Sequence, residues 1–316
     1  MAKIRNSHKS KKRIRITEYI RLFVSETKRS SAYKNTFLNI GNYVRDFEEK
    51  TGIELYTDSV TEQVAGDFVY YLKSSARKRT SPTKPLMANT IYFIWVRLGY
   101  ALRRASRSGY PVNFDFENVE CEPEEANAVY LTMAELRRIN NLPLPAGLAV
   151  VRDRFLLGCF TALRYSDFSV ITRRNIVEKM IEVKTRKTGV KVVIPVHPVV
   201  REILKRNGGD FPKITFCSNT FGNRLRKICQ LAGIHSPVLY ERTIGMNVVR
   251  KRVKKYTLVT SHTARRTGAT NMYLANIPTF RIMLITGHST EESFFRYIRI
   301  NREENAKILK EHSFFK

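Results

Sequence analysis

The stretch PVNFDFENVECEPEEANAV, residues 111–129, constrains the fold most, because it cannot continue the structure on either side of it. It carries Pro111 and Pro123, a crowd of acidic residues (Asp115, Glu117, Glu120, Glu122, Glu124, Glu125) and no helical period. Such a segment reads as a linker, so the chain divides near it. At 316 residues the chain is long enough for two domains, each able to bury its own core. The expected layout is a basic tail over 1–15, a helical domain over 16–112, the acidic linker over 113–129 and a second domain over 130–316.

Before the linker the apolar residues repeat with helical spacing. Thr17 is placed to cap a first helix carrying Tyr19, Ile20, Leu22 and Phe23. A second is expected over 31–50, with Phe37, Ile40, Val44 and Phe47 on one face and Gly52 past its end. A third is expected over 61–76, and a fourth over 89–108 with Ile91, Ile94, Leu98, Ala101 and Leu102 inward. Between the last two, ARKRTSPTKP reads as a turn-rich basic loop. After the linker, Thr132 and Glu135 have the spacing of a capping box. A buried helix is expected over 148–160, then strands over 180–184 and 191–196 joined by a turn holding Thr188 and Gly189. Two more helices follow, and a β-leaning basic stretch over 238–259 has the look of a second hairpin. The fold class is therefore mainly α with small β-hairpin elements: a four-helix domain, then a mixed α/β domain.

Charge narrows the partner. Lys and Arg number 56 against 28 Asp and Glu, a formal net charge of +28. That excess repels itself and makes physical sense when a polyanion neutralises it, so double-stranded DNA is the expected partner. The basic residues are spread along the chain rather than gathered on one amphipathic anchor, and no apolar run is long enough for a membrane span. The basic tail reads equally as a solvated charge run or as a phosphate-contacting arm. Cys121, Cys159, Cys217 and Cys229 form no CxxC pattern, which supports neither a zinc site nor a disulfide framework and fits a reducing cytoplasm. There is no phosphate-binding glycine loop, no dinucleotide fingerprint and no carboxylate cluster for Mg²⁺, so no cofactor is expected.

The residues suited to chemistry gather late in the chain. Ser261 to Tyr297 holds His262, Arg265, His288 and Tyr297, two imidazoles, a guanidinium and a phenol that make an odd core but a sensible site for a phosphodiester. Arg164 in TALRYSD and Lys187 in the strand turn complete the set. The spacings run 23 residues from Arg164 to Lys187, 3 from His262 to Arg265, 23 from Arg265 to His288 and 9 from His288 to Tyr297. In this order and spacing the chain resembles the tyrosine recombinase (phage integrase) family across 130–316, and the preceding four-helix unit is similar to that family's core-binding domain.

The resemblance implies a metal-free strand transfer. Tyr297 would be the nucleophile, forming a 3′-phosphotyrosyl bond that conserves the phosphodiester for rejoining. Arg164 and Arg265 would grip the non-bridging oxygens, because a guanidinium stays charged and donates two parallel hydrogen bonds. His262 would be the general acid or base, and His288 a donor to a non-bridging oxygen. Lys187 would protonate the leaving 5′-oxygen. Lys184, Arg186 and Lys191 lie close by, and counting back from Pro195 selects Lys187. Arg266 sits beside Arg265, and the H-x-x-R spacing favours Arg265; Asp167 would brace the site or cap the short helix after Ser166.

The resemblance also implies a C-shaped clamp on the duplex and a tetramer on paired sites, with accessory proteins in some systems. Segment 301–316, with Ala306, Ile308 and Leu309, would dock on a neighbouring protomer or pack on its own domain. The expected role is integration or excision of a mobile element. Xer-like dimer resolution is the alternative within the family. A type IB topoisomerase, or a DNA-binding protein without catalysis, is the alternative outside it.

Overall fold

A computed structural model describes residues 12–113, 119–125 and 127–298, together with 306, 310 and 313–315. The expectations for the first eleven residues, for Asp115 and Glu117, and for most of 301–316 lie outside the described residues. The chain forms two compact units, Met1–Ala126 with Tyr240–Lys251, and Asn127–Leu239 with Arg252–Lys316.

The first unit is built on α1 (Ile16–Glu26), α2 (Ser31–Thr51), α3 (Glu62–Ser74) and α4 (Ala88–Arg107). Their apolar stripes meet in one core around Phe37, Val44, Phe47, Phe68, Leu72 and Leu98, all at most 2% exposed. Helix ends follow local chemistry. Ser30 and Thr61 accept backbone N–H bonds at the starts of α2 and α3, and α2 stops at Gly52 in the left-handed conformation. The first helix begins at Ile16, ahead of Thr17, with Arg15 as its flanking residue. The basic loop before α4 is in fact a short hairpin, β1 (Arg77–Lys78) with β2 (Ser81–Pro85). Its prolines look like strand breakers in sequence, but a two-stranded ribbon has free edges where a missing N–H costs no ladder bond.

The second unit opens with α5 (Met133–Asn141), whose capping box is present with both reciprocal bonds. Next comes α6 (Ala146–Thr161), apolar on nearly every side and buried from Val151 to Cys159. A short α7 (Tyr165–Phe168) leads to an antiparallel sheet of β3 (Ile176–Val177), β4 (Met180–Lys184) and β5 (Lys191–Pro195), in that order. Then follow α8 (Pro198–Arg206), α9 (Ser218–Leu231), and a hairpin of β6 (Pro237–Ile244) and β7 (Asn247–Lys254). The chain closes with α10 (Ser261–Leu274), α11 (Thr279–Thr286) and α12 (Glu291–Phe295).

The distal part of the β6–β7 hairpin belongs to the first unit. Ile244 bridges Met87, Gly245 N–H donates to the Leu86 carbonyl at 2.7 Å, and Thr243 N–H donates to Glu124 at 2.8 Å. Gly245 is obligatory there: its φ is +60°, and a Cβ would come 2.9 Å from the Lys73 carbonyl.

Within the second unit, α6 and α10 approach closely enough to exclude side chains between them. A Cβ on Gly158 would lie 3.0 Å from that of Ala264, and one on Gly268 would overlap the Cys159 carbonyl and sit 2.8 Å from the Ala162 Cβ. Gly268→Ala is therefore expected to lower stability by about 1–3 kcal/mol through overpacking. Gly66→Ala on α3, where nothing lies within 4 Å, is expected to be neutral or slightly stabilising by helix propensity. Urea unfolding midpoints of the two variants check the contrast.

Candidate active site

The α6–α10 contact decides which residues meet. The chain leaves α6 through Ala162 in the left-handed region (φ 51°) and reaches Arg164, which flanks the start of α7 with its carbonyl accepting from Asp167 and Phe168. Arg154, 2% exposed, fixes this corner by donating to the carbonyls of Phe168, Ile171 and Pro212. On α10, His262, Arg265 and Arg266 stand at i, i+3 and i+4, the spacing at which helical residues lie one above another. At the end of α11, Gly287 takes the left-handed conformation and turns the chain to His288. Tyr297 follows α12 in a tight turn, its N–H donating to the Phe294 carbonyl at 2.7 Å.

These segments converge on one phenol. The Tyr297 hydroxyl and His262 Nε2 are 3.0 Å apart, and the His288 ring lies 4.5 Å from the Tyr297 ring, centroid to centroid. The guanidinium carbons of Arg265 and Arg266 lie 5.6 and 5.8 Å from the Tyr297 ring centroid. Arg265 is 1% exposed and donates to the carbonyls of Ala162, at 3.1 Å, and Thr286. Its buried Nε has no hydrogen-bond partner among the described residues, and neither has Nε2 of His288. Unmet buried polar groups of this kind carry a real desolvation cost.

Electrostatics set the protonation states. Burial, then the positive charges of Arg266, Arg265 and Arg164, pushes the His262 pKa down to about 4. Burial, then Arg265, Arg164 and His262, does the same for His288, again to about 4. Arg265 is lowered to about 10 by burial and by Arg164, and stays charged at neutral pH. A neutral His262 can accept the proton of the Tyr297 hydroxyl. For His288 the tautomer follows from Thr286. The Thr286 hydroxyl sits 2.9 Å from the Ile282 carbonyl, a contact in which it must donate, so it accepts from His288 Nδ1–H at 2.9 Å. Nε2 of neutral His288 then carries a lone pair.

Lys187 is not part of this contact cluster. It is exposed in the turn between β4 and β5 and makes no hydrogen bond or ion pair among the described residues. The turn itself is well held, with Thr185 N–H donating to the Val190 carbonyl at 2.9 Å and Gly189 left-handed at φ 70°. Asp167, 1% exposed, accepts from the Arg186 N–H at 2.9 Å, so the residue after Arg164's turn fixes the loop that carries Lys187. That bracing role and the place of Arg266 against Tyr297 were open in sequence. The i+4 spacing from His262 was the available signal for Arg266. Among the described residues there is no group of three or more His, Cys, Asp or Glu that could hold a metal ion, and no helix long and apolar enough to cross a membrane.

Comparison with known proteins bears on the fold. Residues 15–121 match the family model of the phage integrase SAM-like domain. A lambda integrase fragment solved as a dimer bound to a COC′ core site superposes with a TM-score of 0.62 at 15% identity, covering 90% of this chain and 96% of that one. A Tn1549 transposon integrase fragment in complex with transposon right end DNA gives 0.62 at 16% identity, covering 94% and 99%. A lambda integrase tetramer bound to a Holliday junction gives 0.59 at 16% identity, covering 90% and 76%. No curated protein sequence matches the chain. Residues 15–121 thus match the phage integrase SAM-like domain, and the chain as a whole shares the fold of these integrases.

The two depressed histidines make stability depend on pH. Their folded values lie near 4, below the ordinary 6.5, so the unfolded chain binds their protons first as pH falls. Their contribution is present above about 6.5 and is lost as pH falls toward 4. Urea midpoints measured from pH 7 to pH 4 should decline, and His262→Asn with His288→Asn should flatten that decline.

Proposed function

We propose that the protein is a site-specific DNA recombinase that cuts and rejoins duplex DNA through a 3′-phosphotyrosyl intermediate. The observation that carries this reading is the 3.0 Å contact between the Tyr297 hydroxyl and His262 Nε2, with the guanidinium carbons of Arg265 and Arg266 5.6 and 5.8 Å from the Tyr297 ring centroid. Tyr297 gives its proton to His262 Nε2, and the phenolic oxygen attacks the scissile phosphorus as the bond to the 5′-oxygen breaks. Arg164 and Arg265 neutralise the charge that builds on the non-bridging oxygens, a kind of stabilisation whose loss typically costs 10²–10³-fold in rate. His288 takes up a proton together with the phosphate, because its Nε2 lone pair repels a phosphate oxygen until it is protonated. Lys187 supplies the proton that the 5′-oxygen needs on leaving, carried to the site by movement of its side chain or turn when DNA is bound. The reverse sequence rejoins a strand, so the phosphodiester energy is kept in the Tyr297–phosphate bond and no ATP or metal is required.

The partner is double-stranded DNA, supported by the net charge of +28 and by relatives of the same fold solved on DNA. A tetramer on paired sites is supported by the lambda integrase assembly on a Holliday junction. We read the biological role as integration or excision of a mobile element, acting in the cytoplasm. The test is an adduct assay on a suicide substrate taken from the DNA flanking the native locus. Wild type is expected to form a covalent adduct. Tyr297→Phe is expected to lose it while still retarding the same DNA, and an undiminished adduct with that variant overturns the assignment.

A further inference from the structure

Resting on that reading, we propose that Arg266 is a further working residue of the nucleophile site: it holds His262 in its proton-accepting form. Its position supports this from two sides. It follows His262 by four residues on α10, so the two side chains occupy the same helix face one turn apart. Its guanidinium carbon also lies 5.8 Å from the Tyr297 ring centroid, on the residue whose hydroxyl meets His262. Arg266 thus borders both members of the proton-transfer pair.

Arg265 donates to the carbonyls of Ala162 and Thr286, and its charge acts on His262 as well. The groups facing His262 are Arg265 and Arg266 on α10, Arg164 at the start of α7, Tyr297 after α12 and His288 after α11. Burial disfavours an imidazolium at this position most, and the charges of Arg266, Arg265 and Arg164 add to it. Phosphate binding adds negative charge that favours protonation of both histidines. Arg266, one helical turn from His262 on the same face of α10, opposes that protonation at His262 through its positive charge. It is a positioning residue: it acts through His262 by controlling where the proton sits.

Two measurements test this. The first needs no DNA: the imidazole of His262 is titrated by NMR in the free protein, with wild type, Arg266→Gln and Arg266→Lys. The midpoint, near 4 in wild type, is expected to rise by about one pH unit in the Gln variant and to stay close to wild type in the Lys variant. The His288 midpoint is expected to be little changed in both. The second is the pH dependence of single-turnover adduct formation, whose acid limb should move to higher pH in Arg266→Gln and not in Arg266→Lys. An unmoved His262 titration in Arg266→Gln overturns the inference, as does an equal shift in the Gln and Lys variants. Absence of any Tyr297 adduct in wild type, with the NMR shift present, sinks the recombinase reading and leaves the charge relation standing.

Discussion

The buried guanidinium of Arg265 is the interaction on which the site depends. One side of its fork holds the carbonyl of Ala162 at the end of α6, the other the carbonyl of Thr286 at the end of α11. Arg164 is two residues beyond the first carbonyl and His288 two residues beyond the second. A single side chain therefore sets the separation of both segments from α10, which carries His262. A lysine could not do so, since it offers a point charge in place of a planar fork. The close α6–α10 packing at Gly158 and Gly268 makes that bridge short enough to form.

Gathering cations in this way costs free energy. Arg164, Arg265 and Arg266 stand together, and the carboxylate of Asp167, the nearby anion felt by Arg265, is committed through one oxygen to the Arg186 N–H. The protein answers with neutral imidazoles rather than with more carboxylates. That choice leaves a neutral imidazole, His262, beside the Tyr297 hydroxyl. The same logic operates over the whole chain, whose net charge of +28 is a liability in isolation and an asset against a polyanion.

Much of this was legible in sequence because it rests on local rules. The helical periods of α2 and α4, the Thr132–Glu135 capping box and the three-residue step from His262 to Arg265 are all short-range patterns. What escaped depends on distant partners. Nothing near Gly245 announces that it will sit on Lys73 and pair beside Met87, because that fit is made by a segment over 150 residues away, as the numbering shows. The strand character of Ser81–Pro85 was hidden by its prolines. Lys187 could be placed in its turn from the flanking strands, yet where its ammonium would go could not, because the turn's orientation is fixed by Asp167, 20 residues earlier. Arg266 was passed over since a motif reading asks for one arginine, whereas the helix presents two.

The central claim is that Tyr297 is the group that bonds to DNA. Mass mapping tests it most directly: the adduct is trapped on a nicked duplex, digested with protease and nuclease, and the modified peptide sequenced. The account predicts a nucleotide 3′-phosphate on Tyr297. A modification on another residue such as Tyr273 or Ser293, or linkage through a 5′-phosphate, would contradict it.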